Sequence, residues 1–98
     1  MLNPTPIERM VDAAGRPYFL PGLSMTLEQF RKALADPNPQ ARAVFLAELL
    51  RNARADDVFF LVSPGEILEM WPLVEDCLGD KKDFWRWLLD ELEERCLG

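Results

Sequence analysis

Ninety-eight residues with 49% hydrophobic content suffice for one compact domain and argue against a disordered chain. A chain of this size buries roughly 60–65% of its unfolded surface, enough for one core but not for a deep cleft between domains. The formal charge of −6 is unevenly spread: residues 1–55 carry a net +2, residues 56–98 a net −8. The acidic C-terminal half disfavours general nucleic-acid binding and would attract a basic partner surface.

The first 25 residues, broken by Pro4, Pro6, Gly15, Pro17, Pro21 and Gly22, cannot hold a long helix or a central strand. Ile7–Ala13 has room for one or two helical turns, Asp12–Gly15 reads as a turn, and Tyr18-Phe19-Leu20 as a short extended segment. Tyr18, Phe19, Leu20 and Leu23 together suggest an arm packed on the body rather than a free tail.

Residues 26–98 read as the helical domain. Thr26-Leu-Glu-Gln29 matches a capping box, followed by a stripe of Leu27, Phe30 and Leu34, and Pro37 ends this helix near Ala35 or Asp36. Asn38-Pro39 restarts the chain as N-cap and first helical position. Leu46, Leu49, Leu50 and Ala53 keep helical spacing, and Val44 and Phe45 widen the apolar face, so this helix is expected at the centre, touched on two sides.

Val58–Val62 has the composition of a buried strand and the length of a two-turn helix capped by Asp56. The lack of a convincing sheet partner favours the helix. Ser63-Pro-Gly-Glu66 starts the next helix, on which Ile67, Trp71, Val74 and Leu78 share a face. Pro72 is expected to kink or split it, and Gly79 to end it in a left-handed cap. Asp80 can cap the last helix, from Lys81 to about Arg95, with Phe84, Trp85, Leu88, Leu89, Leu92 and Cys96 on one broad face. The expected fold is all-α, a compact bundle of about five helices with an irregular N-terminal arm.

The chemistry of the chain is sparse. It has no histidine, which removes the commonest general base and most ways of activating a nucleophile. Ser63 is explained as a cap, and Glu69 and Asp76, seven apart, read as solvated carboxylates. No phosphate-cradling loop or metal-binding loop is present, and two cysteines without histidine do not make a zinc site. No catalytic residue, metal or cofactor is therefore expected. Cys77 and Cys96 read as reduced, buried small hydrophobes. With no secretory signal and no apolar run long enough to cross a bilayer, the expected location is the cytoplasm.

Trp87 is the sharper feature. It lies about 140° from the centre of the apolar face of its helix, with Asp83, Asp90, Glu91 and Glu94 around it. Either it anchors a partner with a basic surface, or the arm or a neighbouring helix covers it. A homodimer using the same aromatic surface and an RNA-binding helical module are the alternative roles.

Two resemblances follow from quoted residues. Leu34-Ala-Asp-Pro-Asn-Pro-Gln-Ala-Arg42, followed by an apolar helix, resembles the inter-helix turn of a HEAT-type repeat over about twenty residues, with no second copy in the chain. Val11-Asp12, Gly15-Arg-Pro-Tyr-Phe19, Met25-Thr-Leu-Glu-Gln-Phe30, Asp57-Val-Phe-Phe-Leu-Val-Ser-Pro64, Trp71-Pro72 and Phe84-Trp85 resemble a family of small uncharacterised bacterial helical proteins. Genes of that family often sit beside abortive-infection-type nucleotidyltransferases. The resemblance implies an accessory or antitoxin-like partner of such an enzyme and carries over no catalytic residue.

Overall fold

Short polar side chains start three of the helices. The computed structural model describes residues 4–20 and 24–97, with side chains described as far as residue 92. α1 is a single turn, Ile7–Met10. Ahead of α2 (Leu27–Leu34), Thr26 Oγ1 accepts from the Gln29 N–H at 3.2 Å and Gln29 Oε1 accepts from the Thr26 N–H at 2.9 Å. Asn38 Oδ1 accepts from the Gln40 N–H at 3.0 Å and Pro39 opens α3 (Pro39–Asn52). Ser63 Oγ accepts from the Glu66 N–H at 3.2 Å at the start of α5 (Pro64–Val74). Each cap satisfies a donor that the helix itself cannot, a contribution of ~1 kcal/mol apiece.

Between these lies α4 (Ala55–Leu61), so most of the Val58–Val62 run is helix, with Val62 as its C-cap. The expected Asp56 cap does not form. Arg54 is the N-cap residue and no side chain caps the helix, while Asp57 turns inward and is fully buried.

α5 runs through Pro72 to Val74 and then tightens into a 3-10 turn, Glu75–Cys77. Leu78 is carried into the core and Cys77 is left exposed, which corrects the expectation of a buried thiol. Gly79 has φ of 55°, the left-handed geometry expected of it, and α6 follows as Lys81–Leu97. The fold is all-α. Among the described residues, the one strand-like contact is an isolated bridge between Val11 and Pro17.

α3 is the central helix. It buries Ala43, Leu46, Ala47, Leu49 and Leu50 and packs against α2, α4, α5 and α6. Phe30, Val58, Ile67, Met70, Val74, Trp85 and Leu89 close around it. The apolar face is narrower than expected, because Val44 is 61% exposed. Leu23 and the side chains of Glu94 and Cys96 lie outside the described residues.

The N-terminal arm belongs to this core. Met10, Phe19 and Leu20 are buried, and Tyr18-Phe19-Leu20 forms a turn instead of the expected extended segment, with the Leu20 N–H donating to Pro17 O at 3.3 Å. The arm's own turn is held by Asp12, whose Oδ1 accepts from the Ala14 and Arg16 N–H groups, both at 2.9 Å. The Arg16 N–H, foremost, holds the Asp12 carboxyl below its ordinary range.

The arm is tied down by a closed ring of hydrogen bonds at Asp57. The Thr5 N–H and Oγ1–H donate to Asp57 at 2.6 and 2.7 Å, and the Tyr18 hydroxyl donates to Oδ2 at 2.6 Å. Tyr18 in turn accepts from the Arg54 N–H at 2.9 Å, and the Arg54 guanidinium donates to Thr5 Oγ1 at 3.0 Å. Burial alone would raise the Asp57 pKa. The hydrogen bonds from Tyr18 and Thr5, with the charge of Arg54, outweigh it and hold the carboxyl below its ordinary 3.8. The Tyr18 phenol is pushed up to about 12, by burial first and then by its bond to Asp57.

Replacing Asp57 by Ala strands three donors, and we expect a loss of roughly 3 kcal/mol of stability, read by urea denaturation. The pH dependence has two edges. The Asp57 contribution is present above the ordinary carboxylate range and is lost as pH falls through its lowered folded pKa, below 3.8. The Tyr18 contribution is complete below pH 10.0 and is lost as pH rises toward about 12, because the unfolded phenol ionises first. Thermal melts of wild type should therefore fall more steeply over that alkaline window than those of Tyr18→Phe.

Candidate functional site

The rotation of α6 about its axis is set from inside the protein. Trp85 is 1% exposed, and its Nε1–H donates to the Leu50 carbonyl at 2.7 Å. With Trp85 and Leu89 both facing the core, a turn of about 100° per residue puts Trp87 about 160° from each of them. Trp87 therefore stands on the outer crest of α6 and is 58% exposed. Among the described residues, neither the arm nor a neighbouring helix covers it, contrary to the second of the two expectations for this residue.

The carboxylates expected around Trp87 share this crest. Asp83 and Asp90, one turn before and after it, are exposed, and Glu91 is half-buried. The described surface does contain paired acids: Asp12 with Arg16, Glu28 with Lys32, Glu48 with Arg51, Asp56 with Arg54, and Asp76 with Lys82. Among the described residues, Asp83, Asp90 and Glu91 have no cation within 4.0 Å. The indole thus sits beside carboxylates that form no ion pair within 4.0 Å among the described residues, with Arg86 next to it in the chain.

Phe84 joins the site, contrary to its expected place on the core face. It is 43% exposed, with its ring 5.3 Å from Trp85 at 80° and 6.4 Å from Trp87 at 43°. Phe59 lies 5.8 Å from Trp85 on the inner side, so an aromatic chain Phe59–Trp85–Phe84–Trp87 runs from core to solvent. The signal was present in Phe84-Trp85-Arg86-Trp87. At about 100° per residue those three rings spread over about 160° of the helix, more than one apolar stripe covers.

Two other features bound the chemistry. Among the described residues no three His, Cys, Asp or Glu side chains converge to hold a metal ion. Nor is any described helix long and apolar enough to cross a membrane. The other convergence of polar groups, at Asp57, spends its described hydrogen bonds on holding the arm. Compared with known proteins, the chain matches no family model, no curated protein and no solved structure.

Trp85→Phe keeps an aromatic ring, though a smaller one, and leaves the buried Leu50 carbonyl without its indole donor. We expect it to cost about 1–3 kcal/mol in a chemical denaturation experiment, with helix content unchanged by circular dichroism.

Proposed function

We propose that the chain is a non-enzymatic, protein-binding accessory protein that acts in the cytoplasm and docks a partner with a basic surface through the acidic crest of α6. The observation that carries this reading is Trp87, exposed on a fixed helix beside carboxylates that have no cation within 4.0 Å among the described residues. Tryptophan offers a large rigid surface whose burial dominates many interfaces. The net −8 of residues 56–98 steers a positively charged surface toward it, and closing the contact then desolvates the indole. Trp87 and Phe84 form the centre of the contact, with Asp83, Asp90, Glu91 and Glu94 as its charged rim.

The resemblance to proteins encoded beside abortive-infection-type nucleotidyltransferases supplies the partner: such an enzyme, held in an antitoxin-like complex through its basic nucleotide or nucleic-acid site. Trp87→Ala removes a side chain that packs mostly against solvent, so its stability should change by less than about 0.5 kcal/mol. Retention of the co-expressed nucleotidyltransferase at low salt should fall at least tenfold. No complex with wild type at low salt, or a large stability loss in Trp87→Ala, sinks the proposal.

A further inference from the structure

The negative charge of the C-terminal half is interrupted at the start of α6. A cavity of about 170 Å³ opens there, where the end of α3 and the start of α4 meet α6. Arg54 and Lys81 line it with Phe84 and Trp85, so two of its side chains are cations, two are aromatic and none is a carboxylate. Three other grooves among the described residues each hold one cation, and each sets at least one carboxylate beside it. Lys81 is exposed and has no carboxylate within 4.0 Å among the described residues. Arg54 gives one guanidinium donor to Thr5 Oγ1 and has Asp56 at 3.9 Å, outside the lining. A guanidinium carries several N–H donors, so others remain for a ligand. Asp80 and Asp83 adjoin Lys81 in the chain but do not line the cavity either.

We infer that this cavity binds a small aromatic oxyanion, its ring against Phe84 and its phosphate or carboxylate group between Arg54 and Lys81. The charge of the lining selects the anion. Arg54 offers the planar fork that matches two oxygens of a carboxylate or phosphate, and Lys81 adds a point charge from a second element. The walls select the ring. Phe84 is 43% exposed, and the buried Trp85 behind it is fixed by its bond to the Leu50 carbonyl, so the aromatic wall is preformed. Ala53 and Ala55 end at Cβ and leave the space open. A cavity of about 150 Å³ accepts a benzene ring. The volume here therefore takes one ring, with the anionic group at the two cations. The inference does not rest on the reading of the Trp87 crest, although Phe84 borders both.

The probe is phenyl phosphate, titrated into the full chain at low salt and followed by NMR, beside inorganic phosphate, benzyl alcohol and benzoate. Phenyl phosphate should bind at least tenfold more tightly than inorganic phosphate or benzyl alcohol, with amide shifts at Ala53, Ala55 and Phe84. Lys81→Gln should weaken it at least fivefold with the melting temperature unchanged, and Lys81→Arg should restore the affinity. Benzoate binding as tightly as phenyl phosphate also supports the site and shows that it reads the oxyanion rather than the phosphorus. Inorganic phosphate matching phenyl phosphate overturns the role of the aromatic wall, and benzyl alcohol matching it overturns the role of the cations; either result sinks the inference. So does unchanged affinity in Lys81→Gln, an absence of saturable binding by all four compounds, or shifts confined to residues 87–91.

Discussion

A carboxylate buried in a small protein must be satisfied on every side, and Asp57 meets that demand with groups that lie far away in the chain. Unpaired, it would cost several kcal/mol. Thr5 and Tyr18 supply the donors, and Arg54 closes the ring by bonding both of them. The arm and α4 thus require each other, since the arm has no stronger described polar tether and Asp57 has no other described donors. Bonds in such a ring polarise one another, so the ring holds as a unit rather than as separable contacts. With the arm seated, Met10, Phe19 and Leu20 complete the core around α3.

A second buried bond performs the corresponding service for α6. The Trp85 indole on the Leu50 carbonyl fixes how the last helix is turned, and every outward-facing residue follows from that. The crest is therefore preorganised. Trp87 rides on a helix whose orientation is already fixed, so a partner has little backbone entropy to remove on binding. The aromatic chain from Phe59 to Trp87 gives the exposed rings a stiff backing instead of a mobile loop.

Helix starts were legible because a cap is a local event. Thr26, Asn38 and Ser63 each act within three residues, and proline marks two of the three sites. The centrality of α3 was legible from its apolar spacing. What escaped depended on how far a neighbour's cover reaches. Periodicity put Val44 and Phe84 on apolar faces but could not say that the covering helices stop short of them. Cys77 was expected to be buried from its residue type alone, but the 3-10 turn after Val74 carries Leu78 into the core and leaves Cys77 at the surface. Asp56 was given the role of cap for α4, when the neighbouring Asp57 held the more consequential one. Only the folded arm distinguishes these adjacent acids. Trp87 was placed on the polar side of its helix, but its 58% exposure could not be read from one helix alone.

The distance in sequence between Thr5 and Asp57 sets an order of events. They are 52 residues apart, and closing a loop of that length costs about 3.5 kcal/mol before any bond is made. The arm can recover that cost only once α3 and α4 already present a surface to it. During synthesis it leaves the ribosome before α4, and it must wait for its partner carboxylate for about 3–10 s at ordinary elongation rates. Through that interval Met10, Phe19 and Leu20 are apolar side chains without a core. The arm is thus made before α4 yet docks after it, and until then its apolar side chains are open to aggregation.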